Sequence, residues 1–189
     1  MFYIITVTVT TALVTALNIY LGGIFSPTAL IRELLLTLLG ILAVFIIDAL
    51  FAFIIRRLPE RFFAPNAPAF NVPKWERNLY RRSKINKWKR HVPEWGCFTG
   101  FHKDKLQDPN DSAYVSRFLL ESNYGVAGHI AGAIFGFAII FIPVLHPLAA
   151  ALPIALVNAL LSLMPTAVLR FNTPALRGLL KRNLNKENK

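Results

Sequence analysis

Four apolar segments of membrane-spanning length constrain the fold of this chain more than any other feature. They occupy approximately residues 1–21, 30–55, 125–145 and 148–169. A helix needs about 20 apolar residues to cross a bilayer, and only helices and closed barrels satisfy their backbone hydrogen bonds inside it. The sequence therefore predicts an all-α, polytopic membrane protein with four transmembrane helices.

Composition supports this class. Of the 189 residues, 54% are hydrophobic and 12% aromatic, which is too apolar for an ordinary soluble domain of this size. The first span has no basic n-region and no persuasive cleavage site, so we expect it to be retained rather than removed as a signal peptide. The single cysteine, Cys97, excludes an internal disulfide and a cysteine-cluster metal site. We expect no metal and no cofactor.

The net charge of +11 is concentrated in two blocks. Fourteen of the 21 Lys and Arg residues lie between Arg56 and Tyr124, and six follow Leu169. Both blocks adjoin apolar spans, which favours membrane topology and anionic lipid over nucleic acid. Four spans place both blocks on one side, so the positive-inside rule predicts a cell-membrane protein with both blocks and both termini in the cytoplasm.

This reading divides the chain into four parts. They are a first transmembrane hairpin (1–55), a cytoplasmic, membrane-associated helical segment rich in basic and aromatic residues (56–124), a second transmembrane hairpin (125–169) and a basic cytoplasmic tail (170–189). Interleaved residues such as Trp88 and Lys89 favour contact with lipid headgroups, although a solvated charge run is the alternative. Residues 96–106 are expected to form a loop.

The stretch 111–141 carries a polar helix start directly into the third span. Asp111 or Ser112 can cap the helix N-terminus. A ladder of small residues follows, which is typical of a face where another helix approaches closely: Gly125, Gly128, Gly132 and Gly136.

Two ionisable residues interrupt the apolar spans. An ionisable group inside a bilayer is costly unless it faces protein or a wet cavity, so His129 is a candidate functional residue, with helix packing as the alternative. Asp48 either pairs with the basic end of its span at Arg56 and Arg57 or has a function. Glu121 precedes His129 by eight residues, so the two side chains could line one pocket without touching.

Three ordered blocks between about Phe70 and Arg182 resemble the glycosyl-diaponeurosporenoate acyltransferases, small membrane enzymes of staphyloxanthin-type carotenoid synthesis. The first is the aromatic and basic run that ends at Tyr80 and continues in Lys87-Trp88-Lys89. The second is Glu121-Ser122 followed by His129, and the third is the eight-residue segment from Arg170 to Arg177. The chain departs from the family pattern at Val126, where the family has a second Glu, and at Ile130, where it has an aromatic residue.

The resemblance implies transfer of a fatty acyl group to a lipid hydroxyl. Such a reaction needs a base for the hydroxyl proton, and neutral imidazole suits that task, so His129 is the candidate general base. Glu121 could orient a substrate or a second proton-transfer group. Arg170, Asn172 and Arg177 could hold a donor phosphate or an acceptor headgroup, and Trp88 and Lys89 are further candidate binding residues.

The implied partners are membrane lipid, an acyl-CoA or acyl-carrier-protein thioester as donor substrate, and a glycosylated or isoprenoid lipid as acceptor. A homo-oligomer is compatible with the sequence, and nucleic acid is not expected. The competing hypothesis is a non-catalytic membrane protein, either a lipid-binding or an assembly partner, in which His129 and the glycines only pack helices.

The predicted topology can be tested with single cysteines in a background that lacks Cys97. Cysteine at Ser83 or Asn185 should resist an impermeant thiol reagent in intact cells, because both basic blocks are predicted to be cytoplasmic. Labelling of either position from outside would overturn the four-span arrangement.

Overall fold

The structure is a computed structural model that describes residues 2–22, 27–92, 106–145 and 150–188. The described part of the chain is all-α and contains no strand. Its α-helices are α1 (Phe2–Gly22), α2 (Pro27–Arg57), α3 (Lys74–Arg82), α4 (Ile85–Trp88), α5 (Ser112–Phe135) and α6 (Leu152–Glu187). Short 3-10 turns cover Glu60–Phe62, Pro68–Phe70, Lys89–His91, Gly136–Phe141 and Pro143–Leu145.

Three of these helices are long and apolar enough to cross a membrane. They are α2, α5 with its 3-10 continuation to Phe141, and α6; α1 contributes a shorter apolar helix, Thr8–Leu21. All-α membrane architecture is therefore supported with three candidate spans, whereas the sequence predicted four. Two parts of the prediction lie outside the described residues. They are Cys97 in the predicted loop 96–106, and the turns at 23–26 and 146–149 that would close the two hairpins.

Helix α6 continues beyond the predicted end of the fourth span. Its 36 residues are about 54 Å long at 1.5 Å per residue, well above the roughly 30 Å of a bilayer core. Apolar residues fill its first half, and the basic residues begin at Arg170. The stretch predicted as a separate tail is thus helical and continuous with the span as far as Glu187.

The chain divides into two compact units. The first consists of Met1–Ile54 and His129–Leu163, and the second consists of Ile55–Gly128 and Met164–Lys189. The first unit therefore collects most of both predicted transmembrane hairpins. The second collects most of the predicted cytoplasmic segment together with the basic end of the chain.

The first unit contains a polar cluster inside its apolar helices. Asn158 of α6 donates from Nδ2 to Asp48 Oδ1 of α2 at 3.3 Å and to the carbonyl oxygen of Gly132 at 3.2 Å. The Asp48 carboxylate therefore has an amide partner within its own unit, and its pairing with Arg56 or Arg57 stays a prediction. A buried polar group needs such a partner because water is not available to it.

The glycine ladder makes room for this cluster. A Cβ at position 132 would lie 2.7 Å from Asp48 Oδ1, and one at position 136 would lie 2.6 Å from Asn158 Nδ2. The two glycines thus provide space for polar side chains from α2 and α6. The sequence predicted only that another helix would approach this face closely. Gly125, in the second unit, faces the Leu169 side chain, whereas a Cβ at Gly128 would have no atom within 4 Å.

The second unit is built around the start of α5. The predicted cap is confirmed: Asp111 Oδ1 accepts from the Ala113 amide at 2.8 Å. Two polar residues farther along α5 anchor the irregular chain that follows α2. Asn123 Nδ2 donates to the carbonyl oxygens of Phe63 and Ala64 at 2.9 and 3.1 Å, and the Tyr124 hydroxyl donates to the carbonyl of Leu58 at 3.1 Å.

Apolar contacts complete this second unit. Val115, Phe118 and Leu119 recur at helical spacing on α5 and are buried against Leu176 of α6. Their burial on one stripe is the expected result of the apolar periodicity in the sequence. The stripe orients α5 within the unit.

Alanine at two of the glycines provides a matched test of the polar cluster. Gly132→Ala should lower the melting temperature relative to Gly128→Ala, because only the first new methyl group displaces Asp48 and its hydrogen bond to Asn158. Both variants gain the same helix propensity, about 1 kcal/mol, so their difference isolates the contact. Thermal unfolding of both proteins in one detergent measures it; equal melting temperatures would contradict this role for Gly132.

Candidate functional site

A buried ion pair joins α3 to α6 in the second unit. Glu76 has only 6% of its surface exposed. Arg170 Nε lies 2.5 Å from Glu76 Oε1, and Arg170 Nη2 lies 2.7 Å from Oε2. This bidentate arrangement matches the planar guanidinium to the carboxylate and fixes both side chains.

Tyr80, one turn later on α3, adds a hydrogen bond to the Glu76–Arg170 ion pair. Its hydroxyl donates to Glu76 Oε1, because residues four apart lie on the same helix face. Burial alone would raise the pKa of Glu76, but the hydrogen bonds from Arg170 and Tyr80 and the charge of Arg170 together lower it. Burial and the hydrogen bond to Glu76 raise the pKa of Tyr80. Glu76 is therefore ionised and Tyr80 neutral at neutral pH.

The network extends from Arg170 to Arg177 through Asn71. Arg170 Nη2 also donates to the Asn71 carbonyl at 3.0 Å, while Arg177 Nη1 donates to the Asn71 side-chain oxygen. Arg177 Nη2 donates to the Ala67 carbonyl at 3.1 Å. Arg170 thus has its charge balanced by Glu76, whereas Arg177 contacts only neutral acceptors within the described part of the chain.

The other predicted binding residues lie close to this network. Lys89 Nζ is 5.2 Å above the ring of Phe171, whose edge packs against Tyr80 with ring centroids 6.3 Å apart. Trp88 Nε1 donates to the Ser83 carbonyl at 3.1 Å, and its ring packs on the apolar cluster around Tyr80. The structure therefore brings Lys89, Trp88 and Arg170 together around Tyr80.

Asn172 follows Phe171 on α6 and is half-buried. Its side chain has no hydrogen bond to any other residue that the structure describes. An amide of this kind retains its full capacity to donate and accept.

Glu121 lies between two arginines in the same unit. Its Oε1 is 2.7 Å from Arg117 Nη2, one turn earlier on α5, and its Oε2 is 2.6 Å from Arg56 Nη1. The contact with Arg56 is an ion pair without hydrogen-bond alignment. Arg117 Nη1 also reaches Glu60 at 3.3 Å. Glu121 therefore links α5 to Arg56 at the end of α2 within the second unit.

His129 lies on α5 and is the first residue of the second chain segment, His129–Leu163, that belongs to the first unit. Its side chain is half-buried, and its ring has no hydrogen-bond partner among residues 2–22, 27–92, 106–145 and 150–188. The pocket predicted to be shared by Glu121 and His129 stays a prediction.

Glu76 is the residue that the sequence reasoning missed. It is the sole carboxylate between Lys74 and Arg90, a stretch with eight Lys and Arg residues. A lone acid four residues before a tyrosine in such a stretch is a signal for a buried, paired carboxylate. The described residues contain no group of three or more His, Cys, Asp or Glu side chains that could hold a metal ion.

Comparison with known proteins identifies the family. Residues 59–182 match the sequence profile of glycosyl-4,4'-diaponeurosporenoate acyltransferase, and this range includes the Glu76–Arg170 pair, Glu121, His129 and Arg177. No curated protein and no solved structure matches the chain. The three long apolar helices agree with a membrane-associated acyltransferase. Because the match covers about two thirds of its length, this chain belongs to the glycosyl-4,4'-diaponeurosporenoate acyltransferase family.

Proposed function

We propose that this protein is a membrane-embedded acyltransferase that moves a fatty acyl group from a cytoplasmic thioester to a hydroxyl of a glycosylated or isoprenoid lipid. The family match over residues 59–182 is the observation that carries the reaction class. The same match supports a role in carotenoid biosynthesis. Val126 and Ile130, on either side of His129 in the sequence, differ from the family pattern. We therefore propose a class of acceptor lipid rather than one acceptor.

His129 is the proposed general base. Its imidazole takes the proton of the acceptor hydroxyl as the oxygen attacks the thioester carbonyl. The tetrahedral intermediate then collapses, the carbon–sulfur bond breaks, and the imidazolium returns the proton to the departing thiolate. The absence of a hydrogen-bond partner for His129 in the described part of the chain supports this role, because a free ring nitrogen can accept from a substrate.

In this proposal, residues of the second unit position other side chains and bind the substrates. Glu121 orients the chain around it through Arg56 and Arg117, and Glu76 holds Arg170. Arg177 and Lys89 are the proposed contacts for anionic or polar substrate groups. Trp88 on α4 and Asn172 on α6 are further proposed binding residues.

The proposed topology places this chemistry next to its donor. Four spans put both basic segments and both termini in the cytoplasm, where acyl-CoA and acyl-carrier-protein thioesters occur. The basic residues that begin at Arg170 would then lie at the cytoplasmic end of α6. Helix α1, whose shorter apolar helix is Thr8–Leu21, would supply the fourth span.

Substitution of His129 tests the proposed base. His129→Gln retains a similar polar volume but cannot take a proton near neutral pH, so turnover should fall by about 10² to 10⁴ while the protein stays folded. His91→Gln is the matched control, since His91 is an exposed histidine on a short 3-10 turn. Initial rates and melting temperatures should be measured on the same purified samples.

The outcomes separate catalysis from packing. Near-normal acyl transfer by a folded His129→Gln protein would eliminate this residue as the base. A loss of activity that only follows a loss of folded protein would favour the non-catalytic, packing role.

Glu121→Gln should behave differently from His129→Gln. The amide keeps the size of the side chain but removes the charge that attracts Arg56 and Arg117. We expect a higher KM, or a decrease in kcat smaller than that of His129→Gln, because an orienting residue does not transfer the proton. A full 10²- to 10⁴-fold loss of kcat at unchanged KM would instead assign proton transfer to Glu121.

A further inference from the structure

A pocket lies beside the hydrogen-bond network of Arg170, Asn71 and Arg177. It lies within the second unit, between the chain at Pro65 and Asn66 and the last turns of α6. Arg177 and Lys181 contribute cations to its wall, while Leu180 and Leu184 contribute apolar surface. We refer to it below as the Arg177–Lys181 pocket.

Helical spacing explains this composition. Residues 177 and 181 are four apart on α6, as are residues 180 and 184, so each pair lies one turn apart along the helix. The adjacent stripes therefore place two positive charges next to a short apolar surface. A site of this kind is complementary to a ligand that carries both an anionic group and a hydrocarbon chain.

No carboxylate that the structure describes forms an ion pair with either of these two charges. Arg170, about two turns before Arg177 in the same helix, is paired with Glu76. Arg177 contacts only the Asn71 side chain and the Ala67 carbonyl, and Lys181 has no ion pair with any residue that the structure describes. An unbalanced pair of cations attracts an anion more strongly than a balanced ion pair does.

Arg177 is also held in place before any ligand binds. Its guanidinium donates to Asn71 and to Ala67, and the Asn71 carbonyl is fixed in turn by Arg170. Ordering a free arginine side chain costs conformational entropy, and a fixed guanidinium avoids much of that cost on binding. The Glu76–Arg170 pair thus prepares the neighbouring arginine.

We propose that the Arg177–Lys181 pocket binds the phosphate of an amphiphilic ligand, with Leu180 and Leu184 contacting its apolar part. Arginine and lysine are both established phosphate-binding groups, the first through its planar fork and the second as a point charge. This inference deepens the proposed function, because the phosphate would belong either to the thioester donor or to an anionic membrane lipid. Lys181 is added to the candidate binding residues.

Direct binding measurements test the proposal with the full-length protein in nanodiscs of neutral phosphatidylcholine. One arm uses a labelled, non-transferable thioether analogue of acyl-CoA, and the other uses labelled phosphatidylglycerol incorporated into the nanodiscs. Arg177→Gln and Lys181→Gln should each weaken binding in at least one arm by about tenfold, the effect expected for loss of a charge-assisted contact. Loss only for the acyl-CoA analogue assigns the phosphate to the donor, and loss only for phosphatidylglycerol assigns it to the lipid.

Arg182→Gln is the matched control. It removes a positive charge from the next residue of α6, which does not line the pocket, and should leave both affinities unchanged. Lys181 is exposed, so Lys181→Gln keeps the test valid even where Arg177→Gln fails to fold. Wild-type affinity in both arms for Lys181→Gln, or an equal loss for Arg182→Gln, would overturn the proposal.

The result does not depend on catalysis. His129→Gln should bind both ligands as the wild-type protein does, because His129 does not line the pocket. A wild-type protein that binds the ligand through Arg177 and Lys181 but transfers no acyl group would overturn the proposed function and leave this inference intact.

Discussion

The bidentate pairing of Arg170 with the buried Glu76 carboxylate is the interaction on which the second unit most depends. It joins α3 to α6. The Glu76 carboxylate also accepts a hydrogen bond from the Tyr80 hydroxyl, and Arg170 donates a further hydrogen bond to the Asn71 carbonyl. Removal of either charge would leave the other buried and unpaired, which is far more costly than the pair itself is stabilising. The same pairing balances the charge of Arg170, whereas Arg177 contacts only neutral acceptors among the described residues.

In the first unit, a neutral amide rather than an arginine is the partner of the carboxylate among the apolar helices. Its carboxylate, Asp48, has an amide partner in Asn158, and the glycines at 132 and 136 provide the space for both side chains. Polar groups in apolar helices are tolerated when they are paired in this way. His129 differs from Asp48 because its ring has no partner in the described part of the chain, which is the physical reason for giving it a chemical role.

Local features of the sequence predicted much of the fold. The Asp111 cap and the buried stripe of Val115, Phe118 and Leu119 follow from local rules of helix capping and periodicity. Contacts between distant segments were not accessible in this way. Glu76 and Arg170 are 94 residues apart, and Asp48 and Asn158 are 110 residues apart, so no helical spacing indicates either pair. For Asp48, the sequence offered the nearby Arg56 and Arg57 as possible partners but gave no indication of Asn158.

Acyl transfer to a lipid hydroxyl is the reaction that we propose for this protein. The most direct measurement incubates the purified wild-type protein with an acyl thioester labelled in its acyl chain and with a membrane lipid extract, and then separates the lipid products. We expect a labelled lipid ester that forms only when protein, thioester and extract are all present. Release of labelled fatty acid alone, or recovery of intact thioester from folded protein, would contradict it.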